Sequence, residues 1–341
     1  MGYDKLLSFF TKNLPNNIVE DVYKPTVVAN HIYFDMNFLV YNSIAIIENE
    51  INTIYKIIFG ISYTDISILE KKLHIIFNSF HWIKALNNIN MIEILDGSNI
   101  ETIIKKFNNI LDISINDILY WSIYKNILDN INTTHPLEFI ISINLFLDGI
   151  PTYAKIIEQR RRRMKNYLDS KNRKKIFNNY FDNIISNLIT EDDITYDYFE
   201  WIKHLYSFSK SMGPQSSIMI LLGEFILNEL KNIFPNIRIT LDGGNNYGES
   251  DYKIFRHIKN NNIDSMIAIH SCDSDFIFLI IWYQLISCIS SIDTNIMLIN
   301  YTNKKSDHRT MINSNKIIKL LKFIIFILFK FIINSFSLYK L

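Results

Sequence analysis

The sequence is poor in cysteine, glycine and proline. Its two cysteines, Cys272 and Cys288, exclude a disulfide-stabilised scaffold and a cysteine-rich zinc site, and they favour a reducing compartment. Nine glycines and six prolines in 341 residues exclude collagen-like and linker-dominated architectures. The net charge is +1, so any basic surface must be local. No secretory signal is recognisable, and we expect a cytoplasmic protein, with a nuclear location still open.

Apolar sequence, by contrast, is abundant. Hydrophobic residues make up 48% of the chain and charged residues 20%, which excludes a mostly disordered protein and supports a sizeable core. Residues 301–341 form a lysine-rich hydrophobic C-terminal tail. A membrane span needs about 20 apolar residues, and Lys330 interrupts the run that begins at Phe323. We therefore favour a C-terminal helix that is buried or binds a protein partner. A membrane contact is the weaker alternative, and an altered or truncated C-terminus is a third.

Several short apolar runs are followed by acidic residues and alternate with longer helical stretches, such as 155–187 and 218–233. Short runs rich in β-branched and aromatic residues are typical of buried strands. Strands that alternate with helices predict an α/β fold with a mainly parallel sheet flanked by helices. The runs are followed by Asp35, Asp148, Asp242, Asp273 and Asp275.

The predicted organisation is a domain over residues 1–300 followed by the tail. Residues from about 45 to 131 show helical apolar spacing, few glycines and no chemical motif, which predicts a helical insertion within that domain.

Carboxylates at the ends of neighbouring parallel strands converge on one edge of the sheet, where ligands bind in such folds. Crowded carboxylates repel one another unless they are protonated or bound to cations, and Mg²⁺ or Mn²⁺ prefers such oxygen ligands. Two such ions can support in-line hydrolysis of a phosphodiester. The alternative for each single acid is a helix cap or a turn. The candidate ligands are Asp35, Asp148, Glu249, Asp251, Asp273 and Asp275.

A basic helix is predicted shortly after Asp148. It places four polar side chains at offsets of 0, 4, 7 and 8, which puts them on one helical face. Such a face suits a phosphate monoester, because Arg supplies a planar fork of donors and Lys a point charge. A solvated basic surface is the alternative. The four residues are Lys155, Gln159, Arg162 and Arg163.

Two further residues, Tyr41 and His270, can be interpreted from the sequence around them. The sequence pattern around Tyr41, which follows the Asp35 run, favours packing of its ring in the core. An aromatic ring at this position can also stack on a nucleic-acid base. His270 lies in an apolar run and is interpreted as a core residue. The sequence contains no phosphate-binding loop of the GxxxxGK[ST] type, no HExxH, no GxSxG and no Cys/His zinc spacing.

Six motifs in order resemble those of the XRN family of 5′→3′ exoribonucleases. They are the opening MGYDKLLSFFTKNLP, then IYFDMNFLVYNS, LFLDGIPTYAKIIEQRRRR, SKSMGPQSSIM, YGESDYKIF and CDSDFIFL. The third resembles DG-x-A-P-x-A-K-x-x-x-Q-R-x-R-R, the fourth a T-P-G-T segment, the fifth GEGEHKI and the sixth D-A-D-L-I-M-L. Together they span the chain from Met1 to about Leu279, which is the N-terminal nuclease region of that family.

The resemblance implies a PIN/flap-nuclease-like fold and a Mg²⁺-dependent exoribonuclease that degrades single-stranded RNA with a 5′-monophosphate. It implies that the six candidate acids bind Mg²⁺, that the four residues of the basic face hold the 5′-phosphate, and that Tyr41 stands where the family has a base-stacking His.

The chain also departs from the family pattern. Ser250 replaces a Gly and Asp251 a Glu, and a downstream acidic G-N-D-F-L-P motif has no match after Asp275. These departures keep two alternatives open: an inactive RNA-binding pseudonuclease, and a structure-specific flap-type DNA nuclease.

Overall fold

The coordinates are a computed structural model in which a large part of the chain can be described. The described residues are 19–21, 28–60, 100–153, individual positions between 155 and 168, 216–261, 263, 265–273, 275–289, 295–301 and 309–313.

Seven strands in the described residues form one sheet, in the order β1-β7-β6-β5-β2-β3-β4. The strands are β1 (Val19–Asp21), β2 (His31–Asp35), β3 (Ser142–Phe146), β4 (Arg238–Asp242), β5 (Ile267–His270), β6 (Ile296–Tyr301) and β7 (Arg309–Asn313).

The middle of this sheet is parallel. Strands β6, β5, β2, β3 and β4 all run in one direction, whereas β7 pairs antiparallel with both β6 and β1 at one edge. Every residue of β2, β3 and β5 is buried, as expected for parallel strands covered on both faces. The prediction of an α/β fold with a mainly parallel sheet is therefore confirmed.

Five α-helices with continuous bounds in the described residues flank the sheet, and the described positions from 153 to 168 are helical as well. The five are α1 (Met36–Gly60), α2 (Ile100–Thr134), α3 (Ser217–Ile233), α4 (Ser250–Asn260) and α5 (Asp275–Ile289), with a 3₁₀ turn at Leu137–Phe139. Helix α1 follows β2 without a loop and packs against α2, which in turn packs against α3. Helices α1 and α2 occupy much of the stretch for which a helical insertion is predicted.

The core of the molecule lies where α4 and α5 cover the centre of the sheet. Tyr33 of β2 stacks on Phe146 of β3, with ring centroids 5.8 Å apart. Ile254 and Phe255 of α4 join the same cluster, and Phe255 packs against Phe276 of α5 at 6.2 Å. This packing holds the first turns of both helices at the carboxyl ends of the central strands.

His270 is a core residue, as predicted from its apolar run. It is fully buried, its ring stacks on Phe34 at 4.5 Å, and its Nε2 lies 2.8 Å from Nε2 of the equally buried His135.

The C-terminal tail enters the described structure through β7, which pairs with β6. The predicted C-terminal helix lies outside the described residues. Among the residues that can be described, no helix combines the length and the apolar character needed to span a bilayer.

Candidate functional site

The parallel register brings three strand ends to one edge of the sheet. Asp35, the last residue of β2, is paired with Phe146 of β3, and Phe34 is paired with His270 of β5. The chain continues from β3 to Asp148 and from β5 to Asp273 within three residues of each strand end. The predicted convergence of carboxylates at this edge is therefore present in the backbone.

Asp35 lies at the centre of this edge. It is buried, and its carboxylate accepts hydrogen bonds from Ser250 Oγ (3.0 Å) and the Asn37 amide (3.3 Å) at Oδ1, and from Ser271 Oγ (2.9 Å) at Oδ2. Burial and the nearby charge of Asp148 raise the pKa of Asp35 to about 7, against the opposing effect of these hydrogen bonds. Asp35 thus sits where its charge is costly.

Hydrogen bonds connect Asp35 to two other strand ends. The backbone amide of Ser250 donates to Asp148 Oδ1 at 2.8 Å, while its hydroxyl reaches Asp35. On the other side, the amide of Asp273 donates to Ser271 Oγ at 3.1 Å, and that hydroxyl donates to Asp35. One continuous network therefore joins Asp148, Asp35 and Asp273.

Glu249 and Asp251 reach the same edge from the start of α4. Glu249 is the N-cap residue, with extended backbone, and Asp251 lies in the first helical turn. Burial raises the pKa of both carboxyl groups; Asp148 raises both further, and Asp273 raises that of Asp251. Glu249 Oε1 is buried without a hydrogen-bond partner. These two acids share the electrostatic environment of the network.

Asp275 is tied to this group more loosely. It is the first residue of α5, and its amide donates to Asp273 Oδ1 at 3.0 Å, so that Asp273 caps the helix. Asp251 and Asp275 both lie in the first turn of a helix, whereas Glu249 and Asp273 precede the helices.

The described carboxylates suit a divalent cation by their chemistry. They are hard oxygen donors, one buried oxygen of Glu249 has no hydrogen-bond partner, and their mutual repulsion would be relieved by a bound cation. As placed, no group of three His, Cys, Asp or Glu side chains within the described residues is close enough to hold an ion. Glu249 instead pairs with Lys155.

Lys155 connects the acids to the predicted phosphate pocket. Its Nζ lies 3.1 Å from Glu249 Oε2 in a partly buried ion pair, and this contact partly offsets the rise in the pKa of Glu249 that burial causes. The other three residues of the basic face, Gln159, Arg162 and Arg163, lie outside the described residues. Arg160 and Arg161 are exposed.

Tyr41 lies on α1, six residues after Asp35, and its side chain is 60% exposed. Core packing, the interpretation favoured by the sequence pattern alone, is therefore wrong. The ring is therefore accessible from solvent.

Sequence reasoning missed Lys253, a residue whose contacts support the site. Lys253 is fully buried, and its Nζ donates to the carbonyl oxygens of Leu147 (2.9 Å) and Gly243 (2.8 Å) and pairs with Asp242 Oδ1 (3.1 Å). It ties the ends of β3 and β4 to α4. A lysine in an amphipathic helix gives no sign of burial, because lysines usually lie on solvated faces.

Asp242 has a structural role as well. Besides the pairing with Lys253, its carboxylate accepts a hydrogen bond from Arg256 at 3.2 Å and another from Asn246 at 2.8 Å. This strand-end acid is thus neutralised locally and takes no part in the network around Asp35.

Two loops bring Asp148 and Glu249 together. The amide of Gly149 donates to the carbonyl of Gly248 at 2.9 Å, and the amide of Gly248 donates to the carbonyl of Ile150 at 2.9 Å. Gly248 has a φ of 105°, a conformation that glycine adopts without strain. The loop after β3 therefore lies directly against the loop that enters α4.

Comparison with known proteins gives one assignment. No curated protein and no solved structure matches the chain significantly. A family model described as the XRN 5′-3′ exonuclease N-terminus matches residues 94–289, more than half of the chain, including five of the six candidate acids and the basic helix. Asp35 and Tyr41 precede the matched region. The sequence resemblance is thus confirmed, and the chain belongs to the XRN 5′-3′ exonuclease family as a nuclease domain of the N-terminal type.

Proposed function

We propose that this nuclease domain is a Mg²⁺-dependent 5′→3′ exoribonuclease that hydrolyses RNA carrying a 5′-monophosphate. The family supplies the reaction class. The observation that carries the finer proposal is the hydrogen-bonded network that joins Asp148, Asp35 and Asp273 across three strand ends. Helix caps and turns alone do not require acids from separate strands to meet in one hydrogen-bonded network.

The proposed ligands of Mg²⁺ or Mn²⁺ are the six acids named from the sequence. When bound, two such ions supply an activated water and neutralise the oxygens of the phosphate in an in-line displacement. The chain's own part is to hold hard oxygen donors at one sheet edge: Asp35 and Asp148 through Ser250, and Asp273 through Ser271. Asp251 adds charge from the first turn of α4.

The proposed substrate end is a terminal phosphate monoester held by Lys155 together with Gln159, Arg162 and Arg163. The Nζ of Lys155 lies 3.1 Å from a carboxylate oxygen of Glu249. Its ammonium group therefore already pairs with an anionic oxygen at this position. A phosphate bound there lies beside the acids. The pocket would select a free monophosphate over a capped end by charge and size. Binding of that phosphate would set the cleavage register at one nucleotide.

Tyr41 completes the proposal on the RNA side. The exposed aromatic ring of Tyr41, six residues after Asp35 in the sequence, offers a stacking surface to an unpaired base, worth about 1–3 kcal/mol per base. Stacking of this kind favours a single strand over a duplex.

A decay assay on the full-length chain tests the proposal. RNA of one sequence is supplied with a 5′-monophosphate or a 5′-hydroxyl, and a flap DNA is the third substrate, each with Mg²⁺ or with EDTA. We expect rapid release of mononucleotides from the 5′-monophosphate RNA with Mg²⁺ alone. Faster cleavage of the flap DNA would favour a structure-specific DNA nuclease. Binding of intact RNA without decay would favour a pseudonuclease.

Asp273→Asn tests the acids in the same assay. Loss of one carboxylate from the proposed metal site should lower cleavage by at least about 100-fold, because the metals stabilise charge that develops in the transition state. RNA binding should persist, since the basic face is unchanged. Asp117→Asn, at an exposed acid on α2, is the matched control and should cleave normally. Normal turnover in Asp273→Asn would remove this residue from the site.

A further inference from the structure

Ser250 connects two acids that belong to different strands. It is the first residue of α4 and is buried. Its hydroxyl donates to Asp35 Oδ1 at 3.0 Å and its amide donates to Asp148 Oδ1 at 2.8 Å. Asp35 and Asp148 are 113 residues apart in sequence, yet a single residue holds one oxygen of each.

The two contacts of Ser250 differ in what they require. The amide contact with Asp148 needs only a backbone N–H at this position, which every residue except proline provides. The contact with Asp35 needs a hydroxyl. In the XRN-like motif that this segment resembles, the same position is a glycine, which provides the amide and lacks the hydroxyl. The contact with Asp35 therefore depends on the serine that stands here in place of that glycine.

The hydroxyl determines how the Asp35 carboxylate is oriented. The terminal torsion of an aspartate is soft, so hydrogen bonds decide which way its oxygens point. Ser271 holds Oδ2 at 2.9 Å, and Ser250 holds Oδ1 at 3.0 Å, whereas the backbone amide of Asn37 reaches Oδ1 only at 3.3 Å. Without Ser250, one oxygen of the carboxylate would keep only a long contact to a backbone amide.

A helix-capping role does not account for this serine. The N-cap residue of α4 is Glu249, and its side chain makes no capping hydrogen bond. The hydroxyl of Ser250 is directed to Asp35 on β2 and so to another element of the fold.

We propose that Ser250 is a positioning residue that orients Asp35, next to Asp148, for binding of a divalent cation at this sheet edge. The inference rests on the proposed function, because it takes Asp35 to be a ligand of that cation. Partners that orient metal ligands commonly affect metal affinity by 10–100-fold when they are removed.

The test is calorimetric titration of Mg²⁺ into the metal-free full-length chain, in the absence of RNA. Ser250→Ala and Ser250→Gly remove the hydroxyl and should each raise the Kd for Mg²⁺ by about 10-fold or more. Ser250→Thr keeps the hydroxyl and should stay within about three-fold of the natural protein. Ser217→Gly places glycine at the exposed first residue of α3, and so controls for glycine at a helix start.

The outcomes separate this inference from the proposed function. If the natural chain binds Mg²⁺ and Ser250→Ala and Ser250→Gly bind it equally well, the positioning role is overturned and the nuclease proposal stands. If the natural chain binds no Mg²⁺ and cleaves no 5′-monophosphate RNA, the proposed function fails and the inference fails with it. Thermal melts of each variant show whether a loss of affinity reflects unfolding. A loss that Ser250→Thr restores supports the role of the hydroxyl.

Discussion

Asp35 shows how a single buried acid connects stability with the proposed function. Its carboxylate is buried next to Asp148, and these two effects raise its pKa to about 7, well above that of an exposed aspartate. Three hydrogen bonds keep the group in place despite this cost. A site that must bind a cation has this character, because the charge that attracts the ion destabilises the metal-free fold.

Because the folded pKa is raised, we expect Asp35 to weaken the metal-free fold as pH rises. Between about pH 4 and pH 7 the native state keeps a proton that the unfolded state releases, so the free energy of unfolding falls across that window, by an amount on the order of a few kcal/mol. Urea unfolding in EDTA at pH 5 and pH 7.5 measures this fall. Asp35→Asn should make it smaller.

The comparison with a control isolates the contribution of Asp35 from other groups. Glu249 and Asp251 also have raised pKa values and act in the same direction, whereas the lowered pKa of His257 acts in the opposite one. Asp117→Asn, at an exposed site, should keep the natural pH dependence. If Asp35→Asn shows the same fall in stability as the natural protein, the buried charge at Asp35 is not its source.

At the scale of elements, the site depends on how two loops approach each other. The loop after β3 carries Asp148 and the loop before α4 carries Glu249, and backbone hydrogen bonds between Gly149, Gly248 and Ile150 hold them together. Lys253 donates hydrogen bonds to backbone carbonyl oxygens just after the ends of β3 and β4. The acids therefore meet because backbone segments fit closely, which leaves little room for side chains at the contact.

Gly149→Ala should separate these loops. A Cβ at Gly149 would lie 1.7 Å from the carbonyl oxygen of Asn246, so the backbone must move. We expect a loss of about 1–3 kcal/mol in unfolding free energy, as for other overpacked positions, and weaker Mg²⁺ binding as Asp148 shifts. Denaturant unfolding and Mg²⁺ titration measure both effects.

Gly243→Ala is the matched control for Gly149→Ala. A Cβ at Gly243, at the end of β4, would have no neighbour within 4 Å. Its unfolding free energy should change by no more than about 0.5 kcal/mol. Equal stability of the two variants would show that the loops are not in close contact.

At the scale of the whole molecule, the chain completes its sheet late in the sequence. Strand β7, residues Arg309–Asn313, pairs with β6 on one side and with β1, near the N-terminus, on the other. The last described segment of the chain thus joins the first one to the parallel sheet. Part of the predicted tail therefore belongs to the sheet that carries the site.

Truncation on either side of β7 tests this arrangement. A chain that ends at residue 308 loses β7 and leaves β6 as an open edge, whereas a chain that ends at residue 313 keeps the strand. We expect the shorter chain to unfold at least about 4 °C lower than the longer one, equivalent to about 1–2 kcal/mol for a protein of this size, and to aggregate more readily through the open edge. Equal melting temperatures and equal solubility would show that β7 does not stabilise the sheet.

The sequence by itself determined the class of the fold and the edge of the sheet at which strand-end acids collect. The apolar runs that precede Asp35 and Asp148 predict parallel strands, and a parallel arrangement places the carboxyl ends of neighbouring strands together. The order of motifs likewise indicated the family.

The tertiary structure alone decided how the acids are held and which of them are neutralised. Asp242 and Asp148 look alike in sequence, yet Asp242 is paired with Lys253 and Arg256, while Asp148 accepts the amide of Ser250. Ser250 and Lys253 gain their roles from groups more than a hundred residues away, at Asp35 and Leu147. Hydrogen bonds between residues so far apart in the sequence leave no local pattern, because they depend on where separate strands end in space.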